Sequence, residues 1–210
     1  MEITLKNLQE VGIRQSLQNN VLTTVGPALP LYHIDTFLRI AHFMAQVCHE
    51  SDGFTIDAES LSYTSPSRLM MVWPKRFTTI EFAQQYINNA KKLANYVYSN
   101  RMGNGGPETN DGYNFRGRGP MQTTGRENYA RMSNKIFVDD RLLTNPDLLS
   151  DLQYGIKAAL IEWKESNCNA MADTDDIHKV TVCINGGTTG LNERKIWLDK
   201  WKHSLRAKPV

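Results

Sequence analysis

Apolar residues return at spacings of three and four along most of this chain, and that period more than any other feature limits what it can fold into. From Asp35 to Glu50 the residues Phe37, Ile40, Ala41, Met44 and Cys48 form one stripe, the mark of an amphipathic helix. Asp35 reads as its N-cap and Gly53 as its stop. Phe82, Tyr86, Ala90, Leu93 and Val97 make a second stripe between Glu81 and Asn100. Ile156, Ala159, Leu160 and Trp163 make a third. Ile177, Val180, Thr181 and Ile184 make a fourth, ended by Asn185 and Gly186. Trp197, Trp201 and Leu205 lie on a last, basic amphipathic helix. Strand-like alternation is scarce, with one short extended piece between Phe54 and Tyr63. Between Arg101 and Gly119 stand six of the 14 glycines, with Pro107 among them. That segment reads as a long irregular loop, and such loops tend to carry function. The expectation is a mainly α single domain over residues 1–210, with a smaller lobe at about 55–112 inserted in a larger helical lobe.

Composition excludes several classes. The longest apolar run is five residues, Leu69 to Trp73, far short of a transmembrane helix. The N-terminal residues show no basic stretch followed by an apolar core, so no secretory signal peptide and no stable membrane anchor are expected. The net charge is only +2. From Thr189 to Val210, however, Arg194, Lys195, Lys200, Lys202, Arg206 and Lys208 face only Glu193 and Asp199. Such an end can attract a polyanion, but it is too weak to argue for nucleic acid. Cys48, Cys168 and Cys183 fit neither a disulfide framework nor a zinc site. They read as reduced thiols of a chain that folds in a reducing cytoplasm.

Several catalytic patterns fail on inspection. His49-Glu50 opens a zinc-protease motif whose second histidine position holds Gly53. Gly117-Arg118-Gly119 opens a dinucleotide fingerprint that meets Gln122 at its third glycine. Gly103 to Gly106 lack the following lysine of a phosphate loop. A carboxylate pair remains. Glu50 stands at a helix end and Glu59 follows beyond the break at Gly53. On one continuous helix the nine-residue interval would be about 13.5 Å of rise, and the break lets the chain turn back. Inverting glycosidases place two carboxyls about 6.5–9.5 Å apart, with a water between. The negative end of the helix dipole disfavours an ionised Glu50 and suits it to donate a proton. The alternative is plain: on a helical wheel Glu50 lies with Arg39, Gln46 and His49, opposite the apolar stripe, where a glutamate is ordinarily solvated.

Four blocks change that balance. The segment from Ala41 to Phe54, which contains His49 and Glu50, resembles the catalytic-acid segment of glycoside hydrolase family 19, which holds plant-type chitinases and phage endolysins. Ala94 to Asn104 resembles the phage members. Asn114 to Gly125 is similar to the family's Tyr-x-Gly-Arg-Gly-x-x-Gln signature, and Ile184 to Gly187 to its Asn-Gly-Gly. The resemblance implies a lysozyme-like, two-lobed helical domain with a central substrate cleft. It implies Glu50 as general acid, Glu59 as general base and Thr124 as a holder of the attacking water. It implies Gln122 and Asn185 in the sugar groove. His49, Tyr98 and Arg118 are read as further substrate contacts, Tyr98 by stacking on a sugar and Arg118 against an acidic substituent. Against these stand cap or loop roles for Gln122 and Asn185, a core role for Tyr98, and the tying of loop carbonyls for Arg118. Asp57 is a rival for the base.

Plant-type members are secreted and disulfide-rich, which this chain does not match. The expectation is therefore a phage endolysin without a separate cell-wall-binding domain. It would be made in the host cytoplasm, be released through a holin pore and cut peptidoglycan glycan strands as a monomer. No metal or organic cofactor is implied. The basic last helix offers a transient envelope contact, with a solvated face as the alternative. Rival functions are a chitinase of the same chemistry, a lytic transglycosylase, and a catalytically silent wall-binding module.

Overall fold

The protein is described from a computed structural model, in which residues 1–206 are described. The described residues form α1 (Leu5–Val11), α2 (Gln15–Val25), α3 (Phe37–Glu50), α4 (Pro66–Val72), α5 (Ile80–Gln84), α6 (Ala90–Val97), α7 (Asp111–Asn114), α8 (Arg126–Phe137), α9 (Arg141–Thr144), α10 (Leu152–Glu165), α11 (Cys168–Asp173), α12 (Ile177–Asn185) and α13 (Leu191–Arg206). Among them there is no named strand, only the isolated antiparallel bridges Ala58–Arg118 and Arg118–Thr123. The mainly α, lysozyme-like class expected from the sequence is the class observed. No helix among the described residues is long and apolar enough to cross a membrane. Two compact units divide the chain. The first takes in 1–57, 119–122 and the chain from Leu149, and so holds α1–α3 and α10–α13; the second takes in 58–118 and 123–148, with α4–α9.

In the first unit α3 is the central helix. The Thr36 side chain, one residue after the expected cap, accepts from the Arg39 N–H at 3.3 Å. Every residue from Ile40 to Cys48 is buried. Polar positions are therefore buried as well as the stripe, and the expectation of a solvated opposite face fails for Gln46. Packing of α13 along α3 and of α11 across it covers that face. Phe43 meets the edge of Trp163 of α10 at 5.3 Å, and Trp201 of α13 is fully buried in the same core. Arg39 forms a paired hydrogen bond to Asp173 at 2.7–2.8 Å, and buried His42 meets Asp175 at 2.9 Å. The helix α12 stops where the sequence signals it, with Gly186 in the left-handed conformation (φ 68°). Of the cations counted in the C-terminal charge, Arg194 is buried and Lys202 pairs with Asp175. Lys195, Lys200 and Arg206 remain exposed, and Lys208 lies outside the described residues.

The second unit has a small aromatic core. Phe77 is ringed by Trp73, Phe82, Tyr86 and Tyr96 at centroid distances of 5.3–6.3 Å. The single helix expected across 81–100 is two, α5 and α6. Asn88 turns to positive φ and donates its N–H to the Tyr63 carbonyl, and the Asn89 side chain then caps α6. Turn-forming asparagines override the apolar period there. The glycine-rich stretch is likewise not structureless. It holds the 3₁₀ turn Pro107–Thr109 and α7. Asp111 accepts from the Gly105 N–H at 3.0 Å, and Asn95 of α6 accepts from the Tyr113 N–H at 2.8 Å.

Arg118 organises this unit. Its side chain is 2% exposed and donates to the Asn114 carbonyl at 2.6 Å, the Tyr129 hydroxyl at 2.8 Å and the Asp147 carboxylate at 2.6 Å. This is the arrangement of an arginine that ties loops together, and it draws the guanidinium away from solvent. Arg118→Ala is expected to lower the unfolding free energy by about 2–4 kcal/mol in a urea titration, since it leaves buried acceptors unmatched. Arg118→Lys should recover less than half of that, lacking the planar fork. Asp147→Asn should cost under about 1 kcal/mol, because that carboxylate is mostly exposed. An Arg118→Ala protein as stable as the wild type would refute the tying role.

Candidate active site

Glu50 is the last residue of α3, and its side chain keeps 22% of its exposure. Its carboxylate oxygen Oε1 accepts from Nη2 of Arg194. The same guanidinium donates through Nη1 to Gln46 Oε1 and through Nε to the Thr189 carbonyl at 3.2 Å. Gln46 in turn donates to the Thr181 hydroxyl at 3.3 Å, and that hydroxyl donates to the Ile177 carbonyl one turn back at 2.7 Å. A continuous polar line thus runs from α12 through α3 and α13 to the candidate acid. Arginine suits the junction because its five donors sit in a rigid fork and its charge is permanent.

His49 precedes Glu50 and is half-buried. Its pKa is lowered, first by burial and then by the nearby Arg194 charge, so the ring is neutral at neutral pH. The ring lies where a Cβ on Gly190 would stand, and Gly190 has φ 72°. Both facts demand glycine at 190. Asn185 sits exposed at the end of α12. Gln122 occupies a turn of the first unit, with φ 54° and its Nε2 donating to the Gly119 carbonyl at 3.0 Å.

Glu59 belongs to the second unit and is held differently. The Tyr98 hydroxyl lies at 2.9 and 3.0 Å from its two carboxylate oxygens. Its own N–H donates to the Gly117 carbonyl at 2.8 Å. Burial raises its pKa, opposed by the Tyr98 hydrogen bond, a Gly117 backbone contact and the Arg116 charge. Tyr98, the C-cap of α6, is itself pushed well above its ordinary value by burial and by the Glu59 charge. Its hydroxyl is therefore a fixed donor to Glu59. Arg118 is bridged to Ala58 on one side and to Thr123 on the other. Glu59 and Thr124 are consequently each one residue from the same rung. Thr124 is half-buried, and its carbonyl accepts from Asn128 Nδ2 at 2.8 Å. Asp57, the rival base, is exposed in the first unit, and its carbonyl accepts from the Gly119 N–H at 2.8 Å.

The sequence reading missed Arg194 and Gln46. Arg194 was counted as a surface cation, yet it stands four and seven residues before Leu198 and Trp201, on the buried stripe of its own helix. An arginine in register with core positions is the signal that was there to read. Nothing in the pattern around Gln46 marked it. Among the described residues no three His, Cys, Asp or Glu side chains are grouped to share a metal ion. A cavity of about 480 Å³ in the first unit, between Arg14, Phe54, Asp57 and Pro120, does not include Glu50 in its lining.

No protein-family profile matches the chain. A glycosyl hydrolase family 19 domain-containing protein of Haemophilus influenzae is 37% identical to it over 157 residues, 75% of each chain. Chitinase C from Streptomyces griseus has a similar fold, with a TM-score of 0.59 at 20% identity over 98% of this chain and 77% of that one. A mutant of chitinase C superposes with a TM-score of 0.62 at 17% identity, over 99% and 79% of the two chains. The structural likeness carries the fold, and the sequence identity carries the family: the chain belongs to glycosyl hydrolase family 19.

Proposed function

We propose that this glycoside hydrolase cuts the β-1,4 bonds between amino sugars of peptidoglycan with inversion at the anomeric carbon, as an endolysin. Glu50 donates a proton to the bridging oxygen as the glycosidic C–O bond breaks. Glu59 takes a proton from the water that attacks the opposite face, and the Thr124 hydroxyl steadies that water. No covalent intermediate forms. The observation that carries the reading is the treatment of Glu59: a carboxylate clamped by a tyrosine hydroxyl and lifted by burial. A general base works best when its pKa is drawn towards the working pH. Arg194 fixes one oxygen of Glu50 and so orients the acid. Gln122, Asn185 and His49 serve the sugar groove in this reading.

The endolysin role is supported by the resemblance of Ala94 to Asn104 to phage members and by three free thiols, which suit synthesis in a host cytoplasm before holin-dependent release to the wall. The exposed cations of α13, Lys195, Lys200 and Arg206, are those a transient contact with an anionic envelope would use. A monomer suffices for this chemistry. A second reading, chitin as substrate, is favoured by the similarity to chitinase C.

Digestion of purified Gram-negative peptidoglycan, followed by mass spectrometry, tests the proposal. The wild type is expected to give muropeptides with hydrated reducing ends. Glu50→Gln and Glu59→Gln should each lower kcat by about 10²–10⁴-fold. Anhydro products, or an active Glu59→Gln, would replace it with a transglycosylase. Chitin oligomers cleaved while sacculi stay intact would favour the chitinase.

Tyr98→Phe removes a hydrogen bond that lowers the Glu59 pKa. The acidic limb of the kcat–pH profile should therefore move to higher pH, with the alkaline limb unchanged. A limb that stays in place would detach Tyr98 from the base.

The raised Glu59 pKa also sets a stability trend. Between its unfolded value, about 4.3, and the higher folded one, the folded state binds more protons. Stability is then lost as pH rises through that window. Glu59→Gln lacks this loss, so its Tm relative to wild type should be more favourable at pH 7 than at pH 4 in paired thermal melts.

A further inference from the structure

We propose that Cys168 and Cys183 are a thiol-oxidation site, which a small disulfide such as oxidised glutathione converts into an intramolecular disulfide that fastens α11 to α12. The two Sγ atoms lie 3.0 Å apart across the junction of these helices. A disulfide bond is about 2.05 Å long, so closing it takes roughly 1 Å of movement between two neighbouring short helices. Cys168 is buried and Cys183 is half-exposed, its sulfur 2.9 Å from the Ser166 carbonyl at the surface.

This difference in exposure sets the order of steps. The Cys183 thiolate, reached from solvent, attacks one sulfur of the reagent and expels one thiolate, leaving a mixed disulfide on Cys183. Cys168 then gives up its proton to a solvent base and attacks Cys183 Sγ, expelling the second thiolate. Two protein S–H bonds are lost, one protein S–S bond is made, and the reagent is reduced to two thiols. Burial, reinforced by the Cys183 thiol, raises the Cys168 pKa and makes it the slower, resolving partner. Cys48 stands apart. It is fully buried in the core, and burial pushes its thiol up to about 12.

The closed segment matters to its surroundings. Residues 168–183 contain Asp173 and Asp175, which pair with Arg39 and His42 of α3, and Thr181, which holds Gln46 beside Arg194. Oxidation would therefore fasten the chain segment that braces α3 from Arg39 to Gln46. The inference needs only an encounter with a thiol oxidant and does not depend on which glycan is cut.

The test uses the full chain, reduced and then treated with oxidised glutathione at pH 8, quenched with acid and alkylated in denaturant. Tryptic peptides 165–179 and 180–194 are expected joined and two hydrogen masses lighter than their sum, with Cys48 alkylated. The oxidised form should melt roughly 5 °C or more above the reduced form, as expected for a loop of this length. Cys183→Ser, a change at a half-exposed position, should fold, show no joined peptides and lose the rise in Tm. A glutathione adduct that persists on Cys183 with Cys168 alkylated would overturn the proposal. So would full alkylation of both cysteines after oxidation.

Discussion

A single guanidinium holds the first unit's chemistry in place. Arg194 is 1% exposed and cannot shed its charge, so it must be surrounded by acceptors or the unit would not close around it. It finds three of them on two segments: Gln46 and Glu50 of α3, and the Thr189 carbonyl that leads into α13. Each acceptor is in turn placed by something else. Thr181 orients the Gln46 amide, the loop glycine at 190 clears space for His49, and the cap at Gly186 sends the chain towards Thr189. Removing one member of such a network leaves the others buried and unmatched.

The two carboxyls are served by opposite means. Glu50 meets a permanent positive charge that acts also as a forked donor. Glu59 meets a neutral hydroxyl in a half-buried setting, where desolvation rather than a full counter-charge dominates. Groups of the same chemical type are thereby held in different electrostatic surroundings.

Much of the helical organisation was legible because burial imposes its period on the sequence. Apart from half-buried Phe37, the stripes of α3, α10, α12 and α13 fall on residues that are buried or packed against the core. The period failed where local turn chemistry outweighed it, at Asn88 and Asn89, and where α3 proved covered on nearly every side, at Gln46. An amphipathic reading assumes one wet face, and a central helix has none. Glu50 and Glu59 stand out as candidates by spacing and resemblance, and Thr124 by resemblance alone. What holds the two carboxylates was not legible, because Arg194 and Tyr98 lie 144 and 39 residues away along the chain from them.

That long separation has a consequence during synthesis. The polypeptide passes between its two units four times, at residues 57–58, 118–119, 122–123 and 148–149, so neither unit is a continuous stretch that could mature alone. The core around α3 needs Leu198 and Trp201, and Glu50 meets its arginine only through α13. A nascent chain therefore carries Glu50 without its arginine until α13 has left the ribosome. Vectorial translation itself delays completion of the first unit's core until α13 arrives.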